Sequence, residues 1–349
     1  MFRFLFRKSS KTQRRNRLGR STPSYRASEL PQGLGLLPGI PLERIAAKLD
    51  SALPFDYVER LQYRVKTENP QMTDDEFACK WFELKRFFLM NLVLKRTPMF
   101  SNEIDDIWHE LLMFTREYQR FGDQFAGGVI HHSPEREPKQ MPGERAWFDW
   151  VYAHLFEFAP ASTRCWNGFF RNPLDKERTD LLRSGNEAEL AELWFDMEQA
   201  KRYPEVAETI RLLIAQAMEE ARQSANSRSL EETGWRDSLI GPTSMVYLAG
   251  AMMFFSINDS ENYASGINDY LPENQVDIEK DRQSSCSSSG CGSFGSDGSN
   301  GGDGSDGSNG GDGASSSDQG GGSSCSSDSG SGSGSSCSSS SSCGSSCSS

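Results

Sequence analysis

Four histidines occur in the 349-residue chain, and all four fall between positions 109 and 154. Random scatter would crowd four residues into so short a stretch about once in a hundred chains. Imidazoles clustered with carboxylates are the composition of a metal-binding or acid–base site. Asp105 and His109 stand four residues apart, which in a helix makes them neighbours on one side. At that spacing both can reach a single ion, or the carboxylate can fix the tautomer of the imidazole. His131 and His132 are adjacent and follow Gly127-Gly128. Successive side chains of an extended segment point to opposite faces, so at most one of the two can turn towards the helix. The two glycines permit the fold-back this requires. The candidate metal ligands are therefore Asp105, His109 and His131 or His132, with Zn or Fe as the fitting ions. Arg116, on the same helical line as Asp105 and His109, is a candidate for an anionic substrate group, and Tyr118 is a second substrate-binding candidate. The same spacing also allows a structural role, in which His109 merely seats its helix on Asp105 and the paired histidines bond backbone carbonyls. His154 shares an apolar face with Trp147, Trp150, Val151 and Phe158 and is expected in the core.

These residues need a scaffold, and the periodicity supplies a helical one. Residues 102–122 form one expected helix, capped by Ser101. Ile104, Ile107, Trp108, Leu111, Phe114, Thr115, Tyr118 and Phe121 make its buried stripe at 100° per residue. Thr73-Asp-Asp-Glu76 is a capping box that opens a helix running to about Lys95. Beyond Phe87 that helix is apolar on nearly all sides, which places it at the centre of a bundle. Pro41 opens a short amphipathic helix, and another is expected from Tyr57 towards Val65. Further helices are expected over 144–159, closed by Pro160, over 187–201 and over 204–224. Period-two alternation is scarce, so the predicted class is all-α, an irregular bundle of six to seven helices over residues 40–258.

The flanks differ from this body. Residues 1–28 carry nine basic residues and no acidic one. The arm, residues 1–39, is expected to be disordered. It also suits a transit peptide, or peripheral contact with anionic lipid through Phe2, Phe4, Leu5 and Phe6. The tail, 259–349, is dominated by Ser, Gly and Asp, holds six of the eight cysteines, and repeats SDGSNGGDG at 296–304 and 305–313. It has too little apolar surface to offset chain entropy. The repeat resembles the start of a calcium β-roll unit, but Ser308 stands where that roll needs a large apolar residue. Only Cys79 and Cys165 lie in the body, which fits a reducing compartment and a cytoplasmic location. Leu239 to Ile257 carries no charge, yet Gly241-Pro242 interrupts it and leaves too few apolar positions for a membrane span. No transmembrane helix is expected. The net charge is −12, and the acidic body argues against a nucleic-acid footprint. No phosphate-binding Gly loop and no G-x-S-x-G elbow occurs.

The run from Glu103 to Pro134 resembles the N-terminal helical domain of the glycine-rich domain-containing proteins. The residues that carry the resemblance are Asp105, Trp108, His109, Tyr118, Gly128, His131 and His132, together with the low-complexity tail. The chain departs from many relatives in having Gly122 where they carry Cys, which removes any thiol role at that position. The resemblance implies a helical domain with an appended tail and sharpens the residue list without specifying a reaction. Two functions are expected from the sequence. One is a non-catalytic module whose helical domain binds a protein partner. The other is a metal-dependent, hydrolytic protein using Asp105, His109 and His131 or His132.

Overall fold

Thr73 and Ser101 do what their positions in the sequence suggest. The Thr73 hydroxyl accepts from the Glu76 amide at 3.1 Å, and the Ser101 hydroxyl accepts from the Ile104 amide at 3.2 Å, so each starts a helix. Glu76 does not complete a reciprocal capping box. Its carboxylate instead holds Lys80 at 2.6 Å. The computed structural model describes residues 25–132, 141–233 and 244–271. All belong to the unit Met1–Gly292. The SDGSNGGDG repeats, the tail cysteines and Phe2 to Phe6 lie outside the described residues.

The described residues are all-α. Thirteen helices occur among them, against the six to seven expected. They are α1 Glu43–Ala52, α2 Phe55–Glu68, α3 Asp74–Val93, α4 Asn102–Leu112, α5 Thr115–Phe125, α6 Pro142–Leu155, α7 Pro160–Cys165, α8 Lys176–Ser184, α9 Glu187–Trp194, α10 Met197–Arg202, α11 Pro204–Asn226, α12 Ser244–Asn258 and α13 Tyr263–Asn268.

Several expected helices are broken in two, which accounts for part of the difference. The helix expected over 102–122 stops at Leu112 and restarts at Thr115, with Phe114 in a non-helical conformation (φ −90°, ψ 62°). The Phe114 ring packs edge-on against Tyr57 of α2, centroids 5.5 Å apart. Residues 187–201 divide at Phe195 and Asp196. Phe195 forms an isolated antiparallel bridge with Leu94, and the Asp196 carboxylate caps α10 through the amides of Glu198 and Gln199. The helix expected over 144–159 ends at Leu155, and Phe156 bridges Leu36. Pro160 closes nothing. It opens α7 as its first residue, where a missing N–H costs least.

α3 lies at the centre, as its apolar surface predicts, and packs against α1, α4, α7, α10 and α11. It also buries charge, which the apolar pattern gave no reason to expect. The Glu83 carboxylate accepts from Ser162 Oγ (2.6 Å), Tyr152 OH (2.7 Å) and Trp166 Nε1 (2.8 Å). The fully buried Arg86 donates to the carbonyls of Leu34 and Glu157, both at 2.9 Å. Buried ions need such partners. The packed chain also extends beyond the expected 40–258, since Leu34, Leu37, Tyr263 and Ile267 are core residues. The uncharged stretch near residue 250 forms α12, packed against α6, α8, α11 and α13. Among the described residues no helix is long and apolar enough to cross a membrane.

Candidate metal centre

The site is built from the first two turns of α4 and from the chain that returns after α5. Ser101 fixes the start of α4 by capping it and by donating its hydroxyl to the Cys165 carbonyl at 2.5 Å. Ile104, Ile107, Trp108 and Leu111 are buried, as the stripe predicts. Asp105 and His109 then lie on the neighbouring edge of the helix, partly accessible.

After Phe125 the chain reverses. Gly127 takes φ +76°, a conformation strained for other residues, and a Cβ there would collide with the Arg202 guanidinium. Gly122 matters for a different reason. A Cβ at 122 would sit 2.7 Å from the Gly128 carbonyl oxygen and 3.2 Å from Val129 Cα. The returning strand of chain lies directly on that bare backbone. Gln199 Nε2 (3.0 Å) and Arg202 Nη1 (2.7 Å), both from α10, donate to the Ala126 carbonyl. Further along, Trp108 Nε1 donates to Tyr118 OH at 3.0 Å, and Tyr118 OH donates to the Ile130 carbonyl at 2.6 Å. Burial pushes the Tyr118 phenol up to about 12, so it stays a neutral donor.

This brings His132 onto α4. Its Nε2 lies 2.7 Å from Asp105 Oδ1, and its ring stands edge-on to Trp108 with centroids 4.5 Å apart. His109 Nδ1 lies 3.5 Å from Asp105 Oδ2, and the two imidazole rings are 4.5 Å apart. One ligand atom from each of Asp105, His109 and His132 lies within 4.8 Å of the other two. The His132 side chain is 7% exposed and that of His109 47% exposed. The group is therefore anchored on one side and open on the other. Asp105, Trp108 and His132 line a cleft of about 830 Å³.

The structure brings together Asp105, His109 and one of the paired histidines. The other, His131, is exposed and is not part of the group, though it lines the cleft. Arg116 lies beyond the break at Phe114, so it does not continue the line of Asp105 and His109. It is exposed and is not among the cleft residues. Tyr118 is buried, is not among the cleft residues, and its hydroxyl bonds Trp108 and Ile130, so it positions the His132 segment. His154 is a core residue. Its Nδ1 lies 2.8 Å from the Trp150 carbonyl and its Nε2 2.8 Å from Glu220 Oε1. Lys95 and Arg96, which also line the cleft, carried no signal in the sequence beyond their charge.

A family model described as UCP032817-like matches residues 48–146, under a third of the chain, and that stretch contains Asp105, His109 and His132. No curated protein matches the chain. No solved structure matches it.

Proposed function

We propose that the protein is metal-dependent and that Asp105, His109 and His132 hold one divalent transition-metal ion. The convergence of two imidazoles and a carboxylate from segments 23 residues apart carries this reading. Two nitrogens and one oxygen suit Zn, or Fe(II) in a facial His–His–carboxylate arrangement. Metal–ligand bonds of about 2.0–2.2 Å hold ligand atoms about 3–4 Å apart. The half-exposed His109 ring is the member able to turn inwards and close the remaining gap. Three protein ligands leave a coordination position towards the cleft, as catalytic sites require. A metal there would supply a bound water of lowered pKa, the nucleophile of a hydrolytic reaction. The resemblance to the glycine-rich domain-containing proteins falls on the same residues, Asp105, His109 and His132, and supports this reading.

Elemental analysis tests it. The purified full-length chain should carry close to one Zn or Fe that depends on these residues. His109→Ala and His132→Ala should each weaken that binding by more than about 100-fold, beyond what loss of a supporting residue costs, with the helical circular-dichroism signal intact. The difference between wild type and variants is the readout, because the tail cysteines can hold soft metals by themselves. Equal metal content in all three proteins would refute the site.

A second reading, a non-catalytic module binding a protein partner, is supported by the exposure of Phe55 (81%), Tyr63 (76%) and Met113 (61%). It requires that partner capture survive His109→Ala and fail when Tyr63 and Met113 are made polar.

A further inference from the structure

The cleft that opens on Asp105 and His132 also contains two cations. Lys95 and Arg96, just past the end of α3, line it and are exposed. Lys95 donates to the Glu192 carbonyl at 2.6 Å and pairs with no carboxylate among the described residues. Arg96 makes no hydrogen bond or ion pair among the described residues. Some exposed arginines on this surface hold carboxylates, as Arg211 holds Glu208 and Arg222 holds Glu219, whereas Arg96 faces a cleft with its guanidinium uncommitted. Beside Arg96, the Thr97 hydroxyl is buried without a partner, although buried polar groups are rarely left so. Among the described residues two carboxylates share the cleft. Asp105 belongs to the metal group, and Asp196 is engaged by the amides that begin α10. Among the described lining residues two cations therefore balance two carboxylates, and a divalent ion would add a surplus of two positive charges. Met99, Phe100 and Ile130 add apolar wall.

We propose that this cleft binds a small phosphate ester with an apolar organic body. A guanidinium fork and an ammonium match the several oxygens of a phosphate group better than a single carboxylate. A dianion also matches the charge surplus, and Met99, Phe100 and Ile130 receive the organic part. The inference names the ligand class for the metal site above and rests on that reading for the surplus charge.

Calorimetric titration of the zinc-loaded full-length chain with phenyl phosphate tests it, with benzoate, phenol and inorganic phosphate as controls. Phenyl phosphate should bind at least about tenfold more tightly than each control. Arg96→Gln should weaken it about tenfold, the size of one lost charge-assisted hydrogen bond, with zinc content unchanged. Lys95→Gln should act in the same direction. Affinity unaltered in both variants, or no preference for phenyl phosphate over benzoate, would overturn the proposal. Inorganic phosphate binding as tightly as phenyl phosphate would overturn the part played by the apolar wall. If the chain retains no zinc, the metal reading fails separately. Titration of zinc-free wild type against zinc-free Arg96→Gln then decides the anion site alone: Arg96-dependent binding sustains it, and its absence refutes it.

Discussion

Tyr118 connects the core to the site. Its hydroxyl accepts a hydrogen bond from Trp108 Nε1 and donates one to the Ile130 carbonyl, two residues before His132. Tyr118→Phe keeps the ring and removes both bonds, leaving a buried indole N–H and a carbonyl without their partner. The expected loss of stability is about 1–3 kcal/mol, measurable by urea denaturation. Because the Ile130 segment carries His132, metal affinity should fall as well, although Tyr118 touches no ligand. A variant as stable as wild type would show that the relay carries no load. At this scale the sequence was partly informative. The i, i+4 pair and the alternation of His131 and His132 follow from backbone geometry, so the meeting of Asp105, His109 and one later histidine was legible. The role of Tyr118 was not, because its partner Ile130 is a backbone carbonyl placed by tertiary packing.

The elements show where local patterns stop being sufficient. No Gly or Pro marks the break between α4 and α5. Phe114 leaves the helix where it packs against Tyr57, 57 residues earlier in the chain. Phe156 and Phe195 likewise leave helices to bridge Leu36 and Leu94. In each case a distant partner outweighs helix propensity, which is a weak prior. Arg116 was displaced from the candidate site by the first of these breaks. The turn after α5 was legible through Gly127, but the need for glycine at 122 was not, since helical periodicity says nothing about what lies against a helix. Gly122→Ala places a Cβ 2.7 Å from backbone oxygen, so the returning chain must shift. Although alanine favours the helix, the substitution should destabilise by about 1–3 kcal/mol and lower metal affinity. Thermal denaturation and metal titration check it, and a stabilised variant with unchanged affinity would contradict the packing.

Across the whole molecule, buried tyrosines set an alkaline limit. Burial raises the phenols of Tyr57, Tyr152 and Tyr263, and Tyr118 to about 12. The unfolded chain ionises these groups near pH 10, while the folded chain holds them neutral. Their contribution is fully present below pH 10 and is lost as pH rises through the folded values. Stability should therefore fall steeply between pH 10 and 12. A melting temperature flat over that interval would contradict the burial. The all-α class was legible because the period is helical throughout, whereas the extent of the body was not. Leu34 and Leu37 precede the expected start, and their environment is created by α3 and α6.

The carbonyl of Ala126 accepts from both Gln199 and Arg202. Releasing that bend would take one shared acceptor from an amide and a guanidinium at once. The His132 segment and α10 thus share one anchoring carbonyl, and a change at that bend reaches both.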